Sequence, residues 1–187
     1  MKSIAIFASG TGSNFAALQA KFGDDQSGIH IACMVCDHAD APVVGKAKAA
    51  GVPVITINYR DYPSKAAAEA AIVAALPPVD MLVLAGFMRI LGPTLLDAYP
   101  QRIVNLHPAL LPSFPGRTGI EDAFAYGVRV TGVTVHYVDA GIDSGQIIAQ
   151  EPVRVLVNDT IDTLAARIHA VEHKLLPETV QQLLEQD

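Results

Sequence analysis

Short apolar runs alternate with segments of helical composition along most of the chain, and this alternation constrains the fold more than any other feature. Ile4 to Ala8, Ile29 to Cys36, Val52 to Ile57, Met81 to Ala85 and Arg102 to Leu106 have the length and β-branched content of strands buried on both faces. Between them lie Asn14 to Phe22, Ala41 to Ala50, Ser64 to Leu76 and Thr94 to Tyr99. Ser64 is placed to cap the third of these helices, and Pro77-Pro78 to stop it. Strand and helix repeated in this order predict an α/β fold: a doubly wound, mostly parallel, Rossmann-like sheet flanked by helices. The pattern then changes. Val130 to Val138 and Gln146 to Val157 are extended stretches around a Gly-rich turn, which predicts a C-terminal antiparallel extension. A terminal helix is expected to open at Asp159 as N-cap, with its first stretch ending near Pro177. Ile161, Leu164, Ile168, Val171 and Leu175 form its core stripe. Glu172 falls at the border of that stripe, where a carboxylate needs a partner: a salt bridge, or a ligand amine.

At 187 residues, 51% apolar and 17% charged, the chain has the size and composition of one compact domain. No apolar run approaches membrane-spanning length, and the N-terminus reads as a first strand and not as a leader, so a cytoplasmic location is expected. A net charge of −6 argues against nucleic-acid binding, so an anionic ligand has to be held by local groups. Cys33 and Cys36 have the spacing of a redox or zinc pair, but they sit in a predicted buried strand and lack further ligands, so they read as packing groups and no metal is expected.

Asn105 and His107, in Asn105-Leu-His-Pro108, stand two apart on a predicted strand and point to one face. Asp143 follows in Asp139-Ala-Gly-Ile-Asp-Ser-Gly145. An amide, an imidazole and a carboxylate are a toolkit for acyl-level chemistry; spacing alone equally fits a strand ending in a polar turn. Gly10-Thr11-Gly12-Ser13-Asn14 opens the first helix and offers backbone N–H groups to a phosphate or carboxylate, or else is a plain tight turn. It lacks the third glycine of a dinucleotide fingerprint, that position being Phe15, and it lacks the Walker lysine. Met88, Arg89, Ile90 and Leu91 follow the fourth strand and suit a flat ring with polar edges, although a snorkelling arginine on a core segment looks the same. If the strands take the usual doubly wound order, all three loops share one crevice.

These motifs, with Gly132-Val-Thr-Val-His136 and Asn105-Leu-His-Pro-Ala-Leu-Leu-Pro112, resemble in order and over nearly the whole chain the folate-dependent formyltransferases, and among them the branch acting in purine synthesis. The resemblance implies transfer of the formyl group of 10-formyltetrahydrofolate to the glycinamide amine of 5-phosphoribosylglycinamide, with small-molecule partners only. It implies a single domain, with residues 1–100 as the phosphate and substrate side and 101–187 as the catalytic and folate side; monomer and homodimer both remain open. Asn105 and His107 would stabilise the developing oxyanion, His107 would supply a proton, and Asp143 would hold the imidazole and favour its charged form. Gly10 to Asn14 would take the phosphate and Glu172 the amino end. Met88, Arg89, Ile90 and Leu91 would receive the pterin, with Asn105 and backbone help from Ala140, Gly141 and Asp143. Lys65 stands where the family commonly has arginine and would meet a folate carboxylate as a point charge. Arg117-Thr-Gly-Ile120 departs from a histidine-bearing stretch and would add positive charge near the phosphate. His136, among apolar neighbours, reads as structural.

Overall fold

The computed structural model describes residues 1–186. Its strands are β1 (Lys2–Phe7), β2 (Ile29–Cys36), β3 (Val54–Thr56), β4 (Met81–Leu84), β5 (Ile103–His107), β6 (Val130–Tyr137) and β7 (Ile147–Arg154). They form one sheet in the order β3-β2-β1-β4-β5-β6-β7. The first five run parallel, while β6 pairs antiparallel with β5 and β7 with β6. Helices α1 (Ser13–Phe22), α2 (Pro42–Ala49), α3 (Lys65–Ala75), α4 (Pro93–Ala98), α5 (Gly119–Tyr126) and α6 (Ile161–Gln186) cover the two faces. This is the expected doubly wound sheet with its antiparallel extension and terminal helix.

Alternation along β1 shows how one strand serves two cores. Ile4 and Ile6 pack with Phe15 of α1, Val43 of α2 and Leu164 of α6. Ala5 and Phe7 pack on the other face with Ile72 of α3 and Leu95 of α4. Strand order reverses between β1 and β4, so their following loops diverge and open a crevice beyond the strand ends. Ser64 caps α3 as expected, accepting from Ala67 N–H at 3.1 Å. Cys33 and Cys36 are free and buried, and burial pushes the Cys33 thiol up to about 11. Thiols held protonated in this way behave as packing groups.

One helix has no counterpart among the expected elements, and two local expectations need correction. Helix α5 is signalled only by Glu121 and Asp122 in its first turn and Gly127 at its C-cap (φ 83°). Thr160, not Asp159, caps α6: Thr163 N–H donates to Thr160 Oγ1 at 3.2 Å, while Asp159 accepts from Leu156 N–H and pairs with Arg167. Helix α6 also runs through Pro177 to Gln186. An interior proline costs about 3 kcal/mol. Past it, however, Val180 and Leu184 are at most 3% exposed, and burying each contributes about 1.5–3 kcal/mol. Burial wins, and the helix continues.

The buried row of α6 therefore runs Leu164, Ile168, Glu172, Leu176, Val180, Leu184, and Ile161 is 41% exposed. Glu172 lies within the row and not at its edge. No helix among the described residues is long and apolar enough to cross a membrane.

Candidate active site

Asn105 and His107 leave β5 on the same face, and Pro108 ends the strand behind them. The antiparallel register sets Asn105 opposite His136 and His107 opposite Thr134. Asp143 arrives from the loop between β6 and β7, with φ at 50°. Its Oδ2 accepts from Gly116 N–H at 2.8 Å and lies 3.4 Å from His107 Nδ1. The other ring nitrogen, His107 Nε2, is 2.7 Å from the Phe114 carbonyl oxygen. A carbonyl only accepts, so Nε2 carries a hydrogen and Nδ1 is the atom left facing the carboxylate.

The same logic assigns His136. Its Nδ1 lies 2.8 Å from the Tyr137 carbonyl oxygen and donates to it, so Nε2 accepts from Asn105 Nδ2 at 3.1 Å. Asn105 Nδ2 is also 3.5 Å from Asp143 Oδ1. His136 thus orients the Asn105 amide, a role its apolar strand neighbours concealed and only the β5–β6 register reveals. Burial pushes the Asp143 carboxyl up, but the Gly116 N–H donated to it and the neighbouring His107 ring outweigh that and leave the group below its ordinary value. Asp143 is therefore a carboxylate at neutral pH, facing two buried imidazoles.

These side chains floor a cavity of about 260 Å³. Met88, Ile90 and Ile142 line it while remaining 54%, 50% and 58% exposed. Large apolar side chains left half in water around a cavity suit a flat, largely apolar ligand. Arg89, Leu91 and Gly141 also line it, whereas Ala140 does not. Lys65 lies in an adjoining recess that shares Met88, Arg89, Ile90 and Arg117 with the cavity and adds Tyr59. Arg117 donates to the Met88 carbonyl at 3.0 Å and lines the apolar cavity, so its charge serves this side of the crevice and not the expected phosphate side.

Gly10 to Asn14 and Glu172 make a second corner, outside the cavity lining but tied to its wall by Ser9 N–H donating to the Gly86 carbonyl at 3.0 Å. Gly10 and Thr11 are exposed. Gly12 is the N-cap of α1 with φ at 75° and no side-chain cap, so the first-turn N–H groups of Ser13 and Asn14 stand at the positive end of the helix. A Cβ on Gly12 would come within 2.5 Å of Val43 Cγ2. Asn14 Nδ2 donates to Glu172 Oε2 at 3.3 Å, and His169 Nδ1 lies 2.7 Å from the same oxygen. Glu172 has the ion-pair partner its burial demands, and that bond raises the His169 pKa against the opposing effect of burial. The two corners divide the chain less cleanly than its halves suggest: the cavity takes Met88 to Leu91 from the first half, and the glycine corner takes Glu172 from the second. Among the described residues, no group of three or more His, Cys, Asp or Glu side chains could hold a metal ion.

Fold and site together define a doubly wound α/β protein with an amide, an imidazole and a carboxylate gathered where its strand order reverses, the equipment of an acyl-level group transferase. The chain belongs to the formyl transferase family, whose model matches residues 2–180. It is 45% identical over 186 residues to the phosphoribosylglycinamide formyltransferase of Bacillus subtilis (strain 168), covering 98% of this chain and 95% of that one. The protein of the same name from Mycobacterium tuberculosis (strain ATCC 25618 / H37Rv) is 47% identical over 183 residues, covering 96% and 84%. Among solved structures, the phosphoribosylglycinamide formyltransferase from Streptococcus pneumoniae TIGR4 superposes with a TM-score of 0.92 at 48% identity, over 98% of this chain and 99% of that one.

Proposed function

We propose that this chain transfers the formyl group of 10-formyltetrahydrofolate to the glycinamide amine of 5-phosphoribosylglycinamide, a step of purine biosynthesis that yields formylglycinamide ribonucleotide and tetrahydrofolate. The observation that carries the reading is the convergence of Asn105, His107 and Asp143 on the floor of a cavity walled by half-exposed apolar side chains. The folate ring system fits that wall, and Lys65 in the adjoining recess suits its carboxylate. The Gly10 to Asn14 turn suits the substrate phosphate, with Glu172 as an acceptor for the amino end.

The roles follow from the hydrogen bonds. Asn105 Nδ2 holds Asp143 at only 3.5 Å, so an oxygen gaining negative charge can replace that weak contact and be stabilised there. His107 Nε2 is committed to Phe114, so the proton passed to the departing nitrogen is the one that Nδ1 carries when the ring is doubly protonated, facing Asp143 at 3.4 Å. Asp143, a carboxylate at neutral pH, holds the imidazole and accepts the proton that the attacking amine gives up. Two small-molecule partners and a cytoplasmic site of action accompany this reading.

A spectroscopic transfer assay tests it. Purified chain with 10-formyltetrahydrofolate should release tetrahydrofolate only when phosphoribosylglycinamide is present. Equal release in water without the amine would replace transfer by hydrolysis.

A further inference from the structure

The loop Gly86 to Leu91 walls the apolar cavity, yet its own backbone makes few regular contacts; side chains from distant parts of the chain hold it in place. Met88 N–H donates to Ser9 Oγ at 2.9 Å. Ser9 Oγ in turn donates to Asp37 Oδ1 at 2.6 Å. Arg89 Nε donates to the second oxygen, Asp37 Oδ2, at 2.6 Å, and its guanidinium lies 4.2 Å from the Tyr59 ring centroid. Just beyond the loop, Gly92 N–H donates to the fully buried Glu69 at 2.6 Å. Asp37 is 4% exposed and Ser9 8%, so the carboxylate and the Ser9 arm are shielded from water, while the Arg89 side chain is 31% exposed. Charge-assisted bonds of this length, in a site of low effective dielectric, are the strong kind.

We propose that Asp37, placed directly after β2, is a positioning residue for the folate side of the site. It acts through Ser9 on the Met88 backbone and through Arg89 on the side chain that follows. One carboxylate thus clamps the end of β1, the end of β2 and the loop after β4, setting the width of the apolar cavity without lining it. The same clamp engages the Nε of Arg89, so this arginine serves loop shape, while the cations left to meet a ligand carboxylate are Lys65 and Arg117. His38 Nε2 lies 3.6 Å from Asp37 Oδ2, and the Tyr59 hydroxyl and the Cys36 thiol also feel this carboxylate. The inference rests on the reading of this cavity as the folate site.

The substitution Asp37→Asn separates the two arms. Its amide oxygen can still accept from Ser9, whereas its NH₂ would face Arg89 and break the charged arm. We expect tetrahydrofolate to bind Asp37→Asn roughly tenfold more weakly in a direct titration, the scale of one lost charged hydrogen bond. Turnover at saturation and the KM for phosphoribosylglycinamide should stay within about twofold of wild type, the pattern of lost cofactor binding with the transition-state contacts kept. Ser9→Ala, a smaller change that removes the Met88 anchor, should weaken folate binding as well. The double variant should lose clearly less than the product of the single losses, because both act on one network. Unchanged folate affinity in both single variants overturns the proposal, and so does a fall in turnover with both substrate affinities intact. The titration requires no transfer, so a chain that binds tetrahydrofolate but does not formylate phosphoribosylglycinamide contradicts the proposed function alone.

Discussion

The two corners of the crevice proposed to hold ligands are built by opposite means. The apolar cavity is shaped from afar: Ser9, Asp37, Glu69 and Arg117 hold a loop whose exposed faces are Met88 and Ile90. The glycine corner is shaped locally, by a positive φ at Gly12, its packing on Val43, and a helix N-terminus with one buried carboxylate beside it. The first can accept changes in the residues that touch the ligand more easily than changes in those that support them. In the second, the residues that touch and the residues that support are the same ones, so little can change. Between the two corners lies the floor of Asn105, His107 and Asp143, where the reaction is proposed to occur.

The largest effect is expected on that floor. His107→Ala should lower the formyl-transfer rate by roughly a thousandfold or more, since it removes an oxyanion donor and a general acid together. Initial rates with both substrates saturating measure this, and a loss smaller than tenfold would exclude the assigned role. Asp143→Asn should cost roughly a hundredfold in turnover while leaving phosphoribosylglycinamide affinity intact; a matching loss of that affinity would move Asp143 into the glycine corner.

Gly12→Ala probes local construction. A side chain at this φ, pressed on Val43, should destabilise the fold by about 1–3 kcal/mol in urea unfolding and raise the KM for phosphoribosylglycinamide, with folate affinity unaffected. If folate binding falls as well, the two corners are not independent.

The smallest effect is electrostatic. Glu172 raises the His169 pKa, so the pair's contribution to stability is complete below the unfolded histidine value of about 6.5 and disappears as pH rises through the higher folded value. The difference in Tm between wild type and His169→Ala should therefore be larger at acid pH and close on the alkaline side. A difference that grows with pH would contradict the pairing.

How much of this could be read from the sequence depends on the range of the interactions involved. Parallel strands buried on both faces write their signature into consecutive residues, which is why β2 falls on its expected bounds and the switch between β1 and β4 was foreseeable. Strand β3 is shorter than its apolar run because it is an edge strand, pairing only with β2. Asn105, His107 and Asp143 were legible as chemistry, and the strand period placed the first two together. The partners that orient them were not. His136 meets Asn105 through a register set by β5–β6 pairing, and Asp37 meets Ser9 and Arg89 through the strand order. Neither relation leaves a local trace. Helix α5 left one, in its acidic first turn and C-cap glycine, but eight residues are too few to show a clear helical period.

Glu172 interrupts an otherwise aliphatic row on the longest helix of the fold, and a leucine there would complete the pattern that Leu164, Ile168, Leu176 and Val180 begin. Only the carboxylate of this pair is buried, His169 being 49% exposed, and exchanging a buried charge and its partner for well-packed hydrocarbon is often neutral or stabilising. Glu172→Leu is therefore the kind of change that a screen for heat resistance would enrich, and it would do so by discarding the group proposed to hold the amine. At this position, selection for durability and selection for turnover pull in opposite directions.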